Sequence, residues 1–227
     1  MGAPGTNALI ERLQEVFTAS ADPALGAAMR SYMRDMFPFL GMKTPERRAA
    51  SRKVLAGAPA FGEEALAEIA EACWELPERE YQYFACDLLV RNAKRLSADF
   101  VPVLRRLVVA KSWWDTVDPL AARVAGGLVR AEPALVRVMD EWIEEEDLWL
   151  VRVALLHQLL YRAETDAGRL FRYCERRAGE SFFFVRKAIG WALREYAKSD
   201  PAAVRAFVTR TELSPLSRRE ALKHLGE

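Results

Sequence analysis

The feature that most constrains this chain is its proline punctuation. Asp22-Pro23, Thr44-Pro45, Leu76-Pro77, Glu132-Pro133, Asp200-Pro201 and Ser214-Pro215 each put proline where a first helical turn tolerates the missing N–H. Between these starts the apolar residues recur at three and four, as in Leu9, Leu13, Val16 and Phe17, and again in Phe182, Val185, Ile189, Leu193 and Tyr196. No segment alternates with period two, so strands are not expected. The pattern predicts an all-α chain of about a dozen helices joined by short turns, with helix pairs recurring roughly every 35 to 45 residues. That period belongs to HEAT-like helical repeats stacked into a curved solenoid, read here as one domain over residues 1–227. A compact helical bundle is the structural alternative.

Composition removes several classes of function. Of 227 residues, 51% are hydrophobic and 29% charged, too apolar for a disordered chain and too evenly charged for a membrane protein. Three cysteines without close spacing (Cys73, Cys86, Cys174) and two distant histidines (His157, His224) supply neither a disulfide framework nor a zinc site. They read as core thiols in a reducing cytosol, with no metal and no cofactor expected. No basic segment followed by an apolar one opens the chain, so export is not expected. Met1-Gly2-Ala3-Pro4-Gly5-Thr6 fits a loose acylation pattern, but no polybasic second signal follows it. GxSxG, Walker, GxGxxG and HExxH sequences are missing, which sets aside the activities that depend on them.

The net charge of +1 hides an uneven distribution. Residues 1–60 carry +3, residues 61–168 carry −8 and residues 169–227 carry +6. Two basic ends around an acidic middle suggest a basic strip for a polyanion, with Asp140, Glu141, Glu144, Glu145, Glu146 and Asp147 on a solvated acidic surface. Uneven surface charge without function is the other reading.

Three groups of residues stand out. In Lys111-Ser112-Trp113-Trp114-Asp115-Thr116-Val117-Asp118, Ser112 is placed to cap a helix, and Trp114 and Asp118 fall at i and i+4 on one face. Trp113 would then enter the core while Trp114 points to a cleft; two core tryptophans and a capping aspartate are the alternative. On the helix expected over 181–198, Lys187, Trp191, Arg194 and Lys198 form a cationic stripe around one aromatic ring, suited to a phosphate backbone or a solvated face. Arg152 stands in a strongly apolar run, where an unpaired guanidinium would be costly, so a carboxylate partner or a cleft is expected. Arg47 and Arg48, with Arg52 and Lys53, and Arg218, Arg219 and Lys223 are further candidate phosphate contacts. His157, among leucines, reads as a core histidine.

Taken with Trp-Trp-Asp-Thr-Val-Asp, four more blocks complete a pattern: Phe-Leu-Gly-Met-Lys-Thr-Pro-Glu-Arg-Arg (39–48), Leu-Pro-Glu-Arg-Glu (76–80), Ala-Ile-Gly-Trp-Ala-Leu-Arg-Glu-Tyr-Ala-Lys (188–198) and Leu-Ser-Arg-Arg-Glu-Ala (216–221). In this order, across nearly the whole chain, they resemble the AlkD family of alkylpurine DNA glycosylases. The resemblance implies a HEAT-like solenoid gripping duplex DNA in a concave face, and hydrolysis of the N-glycosidic bond of cationic 3- and 7-alkylated purines to leave an abasic site. Matched residue by residue, it makes Asp118 the catalytic carboxylate, Trp114 and Trp191 the cleft tryptophans, Arg152 the arginine partner and a DNA-binding residue, able to hold a phosphate or orient the carboxylate, Tyr32 a DNA-binding tyrosine near the lesion and Arg194 a DNA contact. Lys187 and Lys198 follow as backbone contacts.

The chemistry the resemblance implies agrees with the residues present. A cationic alkylpurine leaves as a neutral base and needs no general acid, while the deoxyribose becomes an oxocarbenium-like cation that a desolvated carboxylate stabilises. The family is associated with capturing the lesion without flipping it into a base-reading pocket, so tolerance of bulky adducts follows. With no lysine recognisable as a Schiff-base nucleophile, the expectation is a monofunctional glycosylase working as a monomer in the cytoplasm. The competing readings are a non-catalytic relative that binds distorted or branched DNA, and a HEAT-type protein scaffold.

Overall fold

In a computed structural model describing residues 4–58 and 60–225, every regular element is helical. Residues Met1, Gly2 and Ala3 of the acylation-like pattern lie outside the described residues. Two units can be distinguished, Met1–Leu96 and Ser97–Glu227.

The first unit contains α1 (Pro4–Thr18), α2 (Pro23–Tyr32), α3 (Thr44–Leu55), α4 (Glu63–Glu75) and α5 (Arg79–Asn92). Helix α1 packs on α3 and α4, and α5 on both of those. Leu13, Phe17, Leu66, Ile69 and Phe84 fill the core, with Phe17 stacked on Tyr81 at 5.7 Å and edge-on to Phe84 at 6.1 Å. Each such fully buried side chain contributes about 1.5–3 kcal/mol. The connection from α2 to α3 is held by an interior carboxylate. Glu80, fully buried, accepts hydrogen bonds from the backbone N–H groups of Leu40, Gly41 and Met42 at 3.0, 2.9 and 3.1 Å. Its neighbour Arg79 donates its backbone N–H to the Pro38 carbonyl and lays its guanidinium 3.9 Å from the Phe37 ring. Gly41 takes φ +94, and the Asp22 carbonyl lies where a side chain would begin, so only glycine fits there.

The second unit is a stack of helix pairs. Its first helices are α6 (Val101–Val109), then, past α7 (Trp114–Pro119) and α8 (Gly126–Ala131), α9 (Val136–Trp142). They are followed by α10 (Leu148–Leu156), α11 (Ala167–Arg176), α12 (Phe183–Tyr196), α13 (Pro201–Arg210) and α14 (Pro215–Leu222). The pairs open at Val101, Val136, Ala167 and Pro201, steps of 35, 31 and 34 residues, at or below the short end of the expected period. Helix α6 packs on Leu120–Ala125 between α7 and α8, α9 touches α10, α11 touches α12 and α13 touches α14, and α10, α12 and α14 pack successively on one another as a single layer. This is a helical-repeat fold, in which each pair buries its apolar face against its neighbours.

Four of the six prolines open α-helices as the sequence indicates, at Pro23, Pro45, Pro201 and Pro215. Pro133 opens a 3-10 turn leading into α9, and Pro77 lies in the bend before α5. Helices α7 and α8 are only six residues each, shorter than the periodicity suggests. The acidic middle is largely exposed, as its composition implies, but it is also paired. Asp140 accepts from the Tyr173 hydroxyl at 2.7 Å, Glu144 pairs with Arg176, Glu145 pairs with Arg105, and Asp147 caps α10. Asp140, Glu144 and Glu145 thereby bridge from one helix pair to the next, and Asp140, Glu141, Glu144 and Glu146 are exposed. Cys73, Cys86 and Cys174 are buried free thiols. Among the described residues no helix is long and apolar enough to cross a membrane, and no cluster of His, Cys, Asp and Glu could hold a metal ion.

Candidate functional site

The site grows from the turn before α7. Ser112 does not cap the following helix, as its position suggested; its hydroxyl donates to the Val108 carbonyl at 2.7 Å and closes α6 instead. Lys111 adopts φ 49, and the chain then extends through Trp113, which takes the N-cap position of α7. Trp113 is half-buried rather than core, its ring 4.9 Å from Phe184 and 5.9 Å from Trp149. One turn of α7 carries the half-buried Trp114 and, four residues on, Asp118.

Pro119 follows directly. It has no N–H to give the Asp115 carbonyl, and its ring crowds that carbonyl, so a regular α-helix cannot pass through. The helix continues through a π-helical segment, Leu120–Ala125, in which the Gly126 N–H reaches five residues back to Ala121. Such segments commonly adjoin functional sites. Gly126 then lets α8 approach the end of α10: a Cβ there would stand 2.2 Å from the His157 carbonyl oxygen. The Tyr161 hydroxyl donates to the Gly126 carbonyl at 2.7 Å and ties the crossing.

That close crossing sets the distance between the two charged groups. Arg152 on α10 donates Nε to Asp118 Oδ1 at 2.7 Å and Nη2 to Oδ2 at 2.8 Å, a two-pronged pair with side-chain exposures of only 5% and 13%. Its remaining prong, Nη1, donates to the Phe184 carbonyl, and its guanidinium lies 5.8 Å from the Phe184 ring centre. Arg152 thus has the carboxylate partner expected of it. Burial pushes the Asp118 carboxyl above its ordinary value and Asp115 adds to that, while Arg152 pulls it back down. Both oxygens accept from a fixed cation, which is the geometry of the ionised form. The result is a desolvated, oriented carboxylate.

Phe184 belongs to an aromatic wall that sequence reasoning missed. Trp149, Phe182, Phe183 and Phe184 contact one another with ring centres 5.1–5.6 Å apart, and Phe183 is half exposed. The available signal was the run of three phenylalanines opening α12. Farther along α12, Trp191 is half-buried on the stripe that carries Lys187 and Arg194. Those two cations converge on one carboxylate, Glu220 of α14, at 2.8 and 2.7 Å. The sequence blocks contained Glu220, but its role was not foreseen. Lys198, largely exposed, pairs with Glu195.

The remaining sequence candidates lie in the first unit. Tyr32 ends α2 and is 75% exposed, followed by Arg34 and Asp35 at φ 56 and 57. Arg47 is interior, bonded to Asp87 at 2.9 Å and set over the Tyr83 ring. Arg48 reaches the same carboxylate from the exposed side. His157 is core: its Nδ1 lies 2.7 Å from the Ala154 carbonyl, and burial depresses its pKa to about 4.

Comparison with known proteins agrees with this architecture. A solved structure described as a predicted DNA alkylation repair enzyme from Enterococcus faecalis is 34% identical, matches 91% of this chain and 97% of its own, and superposes with a TM-score of 0.85. No curated protein matches. The family described as DNA alkylation repair enzyme matches residues 13–225, nearly the whole chain. The chain belongs to the DNA alkylation repair enzyme family.

Proposed function

We propose that this protein is a monofunctional DNA glycosylase that hydrolyses the N-glycosidic bond of cationic N3- and N7-alkylated purines in duplex DNA. The observation that carries this reading is the oriented, nearly buried Asp118 carboxylate, held by Arg152 on the helix face that also presents Trp114. An alkylated purine already carries the positive charge that makes it a good leaving group, so it departs neutral without a general acid. The developing charge is on the deoxyribose. Asp118 stabilises that oxocarbenium-like cation and orients the attacking water; the glycosidic bond pair leaves on the purine, the water oxygen bonds to the sugar carbon, and the water's proton passes by way of the Asp118 carboxylate to solvent.

Arg152 fixes the carboxylate rather than binding phosphate, because its side chain is only 5% exposed and is held by Asp118 and the Phe184 carbonyl. Trp114 and Trp191 face the cationic sugar and base, each contributing about 0.5–2 kcal/mol of cation–π attraction. Tyr32, Arg48, Lys187, Arg194 and Lys198 contact the DNA. Capture through sugar and backbone, without flipping, makes selectivity depend on bond lability: the modest stabilisation available cleaves a weakened bond and leaves a normal purine intact. No cofactor or metal enters the reaction, and the protein works as a cytoplasmic monomer.

The test is release of 7-methylguanine and 3-methyladenine from methylated duplex DNA by purified protein, with Asp118→Asn alongside. Release by the native protein, reduced at least a hundredfold in the variant, is the expected result. The closed Asp118–Arg152 pair also suits a non-catalytic binder of distorted DNA, and salt-sensitive binding without release would select that reading. A strand-nicked product in alkali-free reactions would overturn the monofunctional assignment.

A further inference from the structure

Helix α14 sits unusually close to α12. At Gly190 an added Cβ would meet the Glu220 Cβ at 2.5 Å and the Ser217 carbonyl at 2.9 Å, so the two backbones are in near contact. The Ser217 hydroxyl donates to the Arg186 carbonyl at 2.9 Å, one turn away. This seating delivers Glu220 between Lys187 and Arg194, one oxygen to each, at 2.8 and 2.7 Å. The two cations stand four residues before and three after Trp191, on its stripe of α12. Lys187 is 37% exposed and Arg194 19%, so the arrangement opens to solvent rather than lying in the core.

Two cations converging on one two-oxygen anion form a site that a backbone phosphate would fit, already filled by the protein's own carboxylate. We infer that Glu220 is a built-in counterion that lowers affinity for undamaged duplex DNA and so acts as a specificity-determining residue of the Trp191 face. This rests on the DNA-binding part of the proposed function. A phosphate arriving alone only exchanges one anion for another. A strand held in place by further contacts keeps its phosphate at the cations long enough to displace Glu220. Discrimination follows from the balance of charge: with Glu220 the group carries one net positive charge, and without it two.

The experiment measures binding of the full chain to an undamaged fluorescent duplex between 50 and 200 mM salt. Each additional phosphate contact steepens the logarithmic salt slope by about 0.9. Glu220→Gln is expected to bind at least about threefold more tightly at 50 mM, with a slope steeper by about 1, so that the gain shrinks about threefold by 200 mM. Equal or weaker binding with an unchanged slope would overturn the proposal and leave Glu220 as a seat for α14. Lys187→Gln, which keeps Glu220 on Arg194, is the second arm and guards against misfolding of the first. Its slope should become shallower by about 1, and no change would count equally against the inference. Neither arm uses catalysis. A protein that shows both shifts but releases no methylated base refutes the glycosylase and keeps this inference, and active protein without the shifts refutes the inference alone.

Discussion

Arg152 shows how much one side chain's geometry decides. A lysine there keeps the charge, but its three N–H groups radiate from one nitrogen and cannot match a planar fork whose three nitrogens reach both Asp118 oxygens and the Phe184 carbonyl together. Arg152→Lys should slow methylated-base release about a hundredfold, with binding of undamaged duplex changed only a few-fold; single-turnover rates and equilibrium titration check the two parts. Arg47 and Lys198 separate cations by environment. Arg47→Gln breaks a buried bond to Asp87 and should cost about 1–3 kcal/mol in urea unfolding. Lys198→Gln, at an exposed pair, should leave stability alone and make the salt slope of DNA binding shallower by about 1. His157 makes the pH prediction. Its folded pKa of about 4 lies below its ordinary 6.5, so the neutral form is favoured in the folded state. The unfolded chain therefore binds the extra proton, and stability is lost as pH falls from about 6.5 to 4. The full shift corresponds to about 3 kcal/mol, and His157→Gln should flatten that part of the pH–stability curve.

The decisive element is the interrupted helix that runs from α7 through the π-helical segment into α8. A buried carboxylate on one helix and a buried guanidinium on another meet only if the helices cross at the right separation, and Gly126 sets it. Gly126→Ala forces a Cβ into the His157 carbonyl, with no flexible side chain at hand to yield. It should cost about 1–3 kcal/mol and lower base release by parting Asp118 from Arg152. Gly179→Ala, where nothing lies within 4 Å, is the control and should change stability by less than about 0.5 kcal/mol. Thermal unfolding and single-turnover excision on both variants check the pair of outcomes. Sequence reading reached Trp114 and Asp118 as a shared face, since i and i+4 spacing is local. It could not reach the role of Ser112, whose hydroxyl had two helix ends to serve and took the earlier one.

At the scale of the whole molecule, the all-helical class was legible, because proline placement and a three-four apolar rhythm are properties of neighbouring residues. So was the family, through blocks spread along the chain. Why two of those blocks travel together became clear only in the fold: residues 39–48 and 76–80 form one clamp, with Glu80 bonded to Leu40, Gly41 and Met42 across about 40 positions. Charge shows the same limit. Counting located the basic ends and acidic middle, but the partner of each charge is chosen by packing. Exposed Asp140 and Glu144 and half-buried Glu145 also bond across successive helix pairs, Arg47 turns inward to Asp87, and Lys187 and Arg194 share Glu220. The sequence by itself determined the helices, their order and the residue types available for chemistry, since these depend on short-range sterics and spacing. Tertiary structure alone decided which carboxylate meets which cation and how dry the meeting place is, because pairing and desolvation depend on the distance between helices far apart in the chain.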